Sequence, residues 1–79
     1  MNSRIRDLQR MLETVAEPFS ADVEIETTNG QHLRVILTLG PRCGCVIASM
    51  TPSDRWHADQ NVRADARRLL RRLTTEVHP

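Results

Sequence analysis

The sequence predicts an α+β domain in the order helix, strand, strand, strand, helix. Three observations carry that reading. Apolar residues recur at helical spacing near both ends of the chain. Between them lie two segments that alternate apolar and polar side chains with period two. Glycine-bearing turns, Asn29-Gly30 and Gly40-Pro41, separate the strands. The expected architecture is a three-stranded antiparallel meander with both helices packed on one face, and residues 1–79 make one domain. A domain of this size hides about 60% of its unfolded surface, so the core is thin.

Residues 4–17 place Ile5, Leu8, Met11, Leu12 and Val15 on one helical face. Ser3 is the expected cap, Pro18 stops the helix, and Phe19 anchors the connection into the core. Residues 23–28 set Val23, Ile25 and Thr27 against Glu24, Glu26 and Thr28. Residues 32–39 set Leu33, Val35, Leu37 and Leu39 against His32, Arg34, Ile36 and Thr38. Both patterns are those of half-buried strands. A two-residue Asn29-Gly30 loop would oppose apolar and polar faces and is excluded. A three-residue Thr28-Asn29-Gly30 loop pairs Val23 with Val35 and Ile25 with Leu33. On the open face it pairs Glu24 with Arg34 and Glu26 with His32, both charge-complementary.

The third strand is expected over residues 43–50, with Val46, Ala48 and Met50 inward. Ile36 and Ile47 then lie on the open face of the sheet. Thr51 and Pro52 read as a helix start, with Asp54 in the position of a capping-box acid. The last helix should bury Val62, Ala66, Leu69, Leu70 and Leu73. A short helical turn holding Trp56 is expected first, then a break near residues 57–59, then the main helix. Trp56 is expected to pack over the edge of the core.

Charge is unevenly spread. Residues 1–31 hold three Arg against six acids, a net of −3, and residues 32–79 hold eight Arg against four acids, a net of +4. There is no Lys, so every side-chain cation apart from histidine is a planar guanidinium able to grip a phosphate bidentately. Cys43 and Cys45 sit two apart and share a strand face. They read as reduced thiols. No metal site is expected, because His57 and His78 lack ligand spacing, and no cofactor is implied. No apolar run is long enough to span a membrane, and residues 1–17 are charged throughout, so a cytoplasmic protein is expected.

His32 is the most telling single residue. It follows the turn, stands at a hairpin mouth and shares a face with Arg34. The order helix, three strands, helix is that of double-stranded-RNA-binding domains and of HicA-type mRNA interferase toxins. Gly30-Gln31-His32-Leu33-Arg34 resembles the Gly-Ser-His-like step that leads into the second strand of those toxins, with Gln31 standing where they carry Ser. Thr51-Pro52-Ser53-Asp54-Arg55, followed by residues 61–69, resembles short HicA-like proteins of phages and prophages. The resemblance implies an endoribonuclease fold with His32 as the catalytic residue. It implies RNA or an antitoxin as partner, in the cytoplasm of a bacterial host. In such an enzyme a neutral imidazole takes the proton of a ribose 2′-hydroxyl, Arg34 holds the phosphate, and Glu26 orients the ring. The plainer reading is a surface His paired with Glu26 across the strands.

Arg63, Arg67 and Arg71 form an i, i+4 row on the last helix, with Arg68 and Arg72 beside it. Such a stripe is the footprint of phosphate binding. It is equally a solvated face with internal pairs Asp59–Arg63 and Asp65–Arg68. A reading of a different class is a phage-encoded, non-enzymatic inhibitor. It would bind a host defence complex through Glu24, Glu26, Ile36 and Ile47. A homodimer using the same face is the third.

Overall fold

The computed structural model describes residues 3–28, 30–50 and 53–77, apart from the Val77 side chain. The order is helix α1 (Ser3–Ala16), a 3-10 turn (Glu17–Phe19), strands β1 (Asp22–Thr27), β2 (His32–Leu39) and β3 (Arg42–Ser49), and helix α2 (Arg55–Val77). The three strands form one antiparallel sheet in the order β1-β2-β3. This is the expected α-β-β-β-α meander.

The helical stripe of α1 buries Leu8, Leu12 and Val15 and half-buries Ile5 and Met11. Ser3 lies inside the helix rather than before it as a cap. Pro18 has no amide hydrogen, so α-helical bonding stops and the chain tightens into the 3-10 turn. Ser20, left-handed at φ 56°, donates its N–H to the Glu17 carbonyl at 3.0 Å. That bend turns the chain into β1 and lays half-buried Phe19 against the core.

The sheet faces are as the alternation predicts. Leu33, Val35, Leu37, Val46 and Ala48 are buried beneath the helices. The register of the first hairpin is not as predicted. Val23 pairs with Leu37, Ile25 with Val35, Glu24 with Ile36 and Glu26 with Arg34. The pairing slides by two residues from the expected Val23–Val35, Ile25–Leu33, Glu24–Arg34 and Glu26–His32. The cause is loop placement. Thr28 stays paired, its N–H and hydroxyl both donating to the His32 carbonyl, at 3.3 Å and 3.0 Å. The three-residue connection is therefore residues 29–31, with Gly30 at φ 97°, a conformation that side chains resist. The second turn is two residues, Gly40 and Pro41, closed by the Leu39–Arg42 pair.

α2 is one continuous helix of 23 residues. At the usual rise it is about 35 Å long, close to the longest dimension of the molecule. No break occurs near His57–Asp59. Nothing from residue 55 to residue 77 is Gly or Pro, and the first turns are tied to α1 through Arg55 and Asp59. Asp54 is itself the cap rather than a capping-box acid. Its Oδ1 accepts the His57 N–H at 3.1 Å, and its carbonyl accepts the Ala58 N–H at 3.0 Å. The expected cap Thr51 and its neighbour Pro52 lie outside the described residues. Val62, Ala66, Leu69, Leu70 and Leu73 are all buried, as their spacing predicts.

Two contacts fix α2 on the sheet. Gly44 lies under Leu69, where a Cβ would stand 2.7 Å from Leu69 Cδ1, so any side chain here would force the end of Leu69 to move. Arg4 is 7% exposed. Its Nη1 donates to Asp59 of α2 at 2.5 Å, and its Nε and Nη2 donate to the Ser49 carbonyl of β3 at 3.3 Å and 3.1 Å. One guanidinium thus ties α1, β3 and α2 together.

Candidate functional site

The face of the sheet turned away from the helices carries the sequence-predicted residues in rows. The pairing sets Asp22, Thr38 and Cys43 side by side, then Glu24, Ile36 and Cys45, then Glu26, Arg34 and Ile47, and finally His32 beside Ser49. β1 contributes acids, β3 contributes thiols and an isoleucine, and β2 contributes the His and Arg between them. Ile36 is half-buried, Ile47 is 53% exposed, and both thiols are free and exposed. Glu24, Glu26, Ile36 and Ile47 therefore do form one patch.

His32 is exposed at the first residue of β2, on the same face as Arg34. The slide in register changes its company. Glu26 lies opposite Arg34, not His32, and its Oε1 is 3.5 Å from Arg34 Nη1. The predicted orientation of the imidazole by Glu26 is thus absent, and Arg34 is shared with a carboxylate. That pair is about half exposed, and such pairs are worth roughly 0–1 kcal/mol, so a phosphate can compete for the guanidinium. Among the described residues no acidic side chain bonds the His32 ring.

The arginines of α2 divide. Arg63 is half-buried, and its Nε is buried without a hydrogen-bond partner among the described residues. The predicted Asp59–Arg63 pair does not form, because Asp59 is held by Arg4 and Arg55. The predicted Asp65–Arg68 pair does form. Arg67, Arg71 and Arg72 are exposed and have no acidic partner among the described residues. With Arg68 they place four guanidiniums on two turns of helix.

The start of α2 was the least legible region. Trp56 does not pack over the core edge; it is 66% exposed and meets the His57 ring edge-to-face at 4.9 Å. His57 Nδ1 donates to Asp54 Oδ2 at 2.5 Å, and bonds from His57 hold the Asp54 carboxyl below its ordinary range. Arg4 escaped sequence reasoning altogether. The signal was present, because residue 4 is in phase with Leu8 and Leu12 on the buried stripe.

Among the described residues no three His, Cys, Asp or Glu side chains gather as a metal site, and no helix is long and apolar enough to cross a membrane. No protein family, curated protein or solved structure matches the chain.

Proposed function

We propose that the chain contacts RNA through the outer face of α2, as a HicA-like module. The observation that supports it most is the set Arg67, Arg71 and Arg72, exposed and free of acidic partners among the described residues, beside Arg68. Guanidiniums on successive turns of a rigid helix grip phosphates without reading sequence, and A-form RNA is recognised largely by backbone and shape. The decisive measurement is fluorescence anisotropy with a labelled RNA duplex of about 18 base pairs over a salt series. Binding that weakens steeply with salt, and fails in an Arg67→Glu/Arg71→Glu/Arg72→Glu variant, supports the reading. Absence of binding at low salt overturns it.

His32 and Arg34 lie on the open face of the sheet, away from the α2 arginines, so catalysis is a second and separate contact with RNA, in which His32 is the base. Its neutral ring takes the 2′-hydroxyl proton, the 2′-oxygen attacks the adjacent phosphorus, and the 5′-oxygen leaves, protonated by solvent. Arg34 stabilises the phosphorane charge after exchanging Glu26 for the phosphate. The product is a 2′,3′-cyclic phosphate. Cleavage by the wild type that disappears in His32→Ala, with duplex binding intact, establishes the role; equal cleavage by both removes it.

One observation favours the alternative of a non-enzymatic binder. Glu24, Glu26, Ile36 and Ile47 lie in two adjacent rows of the open sheet face, and the acids there repel phosphate. An inhibitor of a host complex acting through this patch would lose its effect in Ile47→Asp and keep it in His32→Ala.

A further inference from the structure

We propose that the outer edge of β3 accepts an extended acidic peptide segment of a protein partner as a fourth strand, its carboxylates held by Arg68 and Arg72 of α2. The ladder geometry comes first. Met50 donates its N–H to the Gln31 carbonyl at 2.8 Å, in register with the β2–β3 pairing. Hydrogen-bonded pairs recur every second residue, so Leu33–Ala48, Val35–Val46 and Leu37–Gly44 are the bonded pairs. The N–H and C=O groups of Cys43, Cys45, Ile47 and Ser49 therefore face away from β2. Ser49 gives its carbonyl to Arg4. Among the described residues nothing bonds those groups of Cys43, Cys45 and Ile47, along an eight-residue strand without proline. Such an edge is a template for another strand.

The other edge is a poor competitor for the same ligand. The ladder alternation in β1 turns the backbone N–H and C=O groups of Val23, Ile25 and Thr27 away from β2, and the Val23 carbonyl is taken by Gln9 of α1 at 3.1 Å. Its side chains Asp22, Glu24 and Glu26 repel acids.

A groove of about 580 Å³ runs beside the β3 edge, between Cys45 and Ile47 on one side and Arg68, Leu69 and Arg72 on the other. Its one acid, Asp65, is already paired with Arg68. The remaining charge is positive, and Arg42 adds to it at the start of β3. A strand lying here turns alternate side chains toward α2, so carboxylates at every second position meet the arginines. The intervening positions lie next to Ile47 and suit β-branched residues. A second copy pairing β3 to β3 would bring Arg42, Arg68 and Arg72 against their equivalents, which disfavours it. RNA could use the arginines but not the alternating amide and carbonyl groups.

The test uses a fluorescein-labelled eight-residue peptide alternating Glu and Val, with a Lys/Val counterpart as control. The wild type should bind the acidic peptide at least about tenfold more tightly than the control. Arg68→Glu/Arg72→Glu should remove that preference. Ile47→Pro deletes an outward N–H without touching the β2–β3 ladder, and should weaken peptide binding about tenfold while leaving RNA binding unchanged. Should Ile47→Pro fail to fold, the peptide carries the modification instead. N-methylation at the residues facing β3 should abolish binding, and N-methylation at the alternate residues should not. Binding indifferent to the position of the methyl groups overturns the proposal. So does an Ile47→Pro effect on RNA affinity alone, or loss of a dimer as the sole consequence. Because Ile47 lies outside the α2 arginine face, failure here leaves the RNA reading standing, and failure of RNA binding leaves this one.

Discussion

Arg4 and Arg71 carry the same group and do opposite work. Arg4 spends its guanidinium inside the molecule, on one carboxylate and one backbone carbonyl, at 7% exposure. Arg71 stands on the outer face of α2, exposed and without an acidic partner among the described residues. The difference is helical phase. Residue 4 falls on the buried stripe of α1, whereas residue 71 follows Leu70 by one and is turned about 100° off the core. An internal ion pair of Arg4's kind stabilises position; an external free cation stabilises nothing and waits for an anion.

This contrast can be broken from either side. The largest effect should come from Arg4→Ala, which strands the Ser49 carbonyl and leaves Asp59 with Arg55 alone at 3.9 Å. Urea unfolding should show a loss of about 2–3 kcal/mol with the slope unchanged. A loss under about 0.5 kcal/mol, the ordinary value for a surface substitution, would make Arg4 no different from Arg71. Gly44→Ala comes next, because its methyl meets Leu69 at 2.7 Å. The expected cost is about 1–3 kcal/mol, reduced when Leu69→Ala is added, a coupling that a double-mutant cycle reads directly. The exposed arginines should give the reverse profile. Arg67→Ala, Arg71→Ala and Arg72→Ala should each leave stability within about 0.5 kcal/mol, while each lowers the salt slope of RNA binding by about 1.

The smallest effect is expected at Asp54. Its carboxyl is held below its ordinary range by bonds from His57, so it stabilises the fold while ionised and loses this as acid protonates it. The melting temperature of Asp54→Ala should lie slightly below that of the wild type at pH 5, and the two should begin to converge below about pH 4 and meet once pH has fallen past the lowered native value of the carboxyl. A gap that persists into stronger acid would assign the effect to something other than the cap.

What the sequence made legible follows from periodicity. Period-two alternation named the inward face of β1 and β2, because slipping by one residue would have exposed Leu33, Val35 and Leu37 together, whereas the inward face of β3 rested on an even-length loop after Leu39. A slip by two preserves every face, and the first hairpin was misread by two residues. Val23 and Ile25 point inward in both registers, and Arg34 finds an acid in both, Glu24 in one and Glu26 in the other. The choice lay with the turn, where Thr28 bonds His32 and shifts the loop by one residue. The consequence reaches the candidate site, since the same shift removes Glu26 from His32. On α2 the buried positions were legible and the ion pairs only half so. Asp65–Arg68 is local to one turn, whereas Asp59 is claimed by Arg4 from 55 residues away. No i, i+4 rule ranks a distant rival.

The brace at Arg4 also orders the events of folding. Ser49 and Asp59, which it bonds, come 45 and 55 residues later in the chain, so α1 cannot complete its contacts until β3 and the first turns of α2 exist. During synthesis α1 emerges ahead of β3 and α2 and is thus among the last of these elements to dock. The β hairpins, built from local contacts, are free to form while it waits. The molecule should accordingly fold in one late cooperative step rather than grow from its beginning. Arg4→Ala should then act on the unfolding rate far more than on the folding rate.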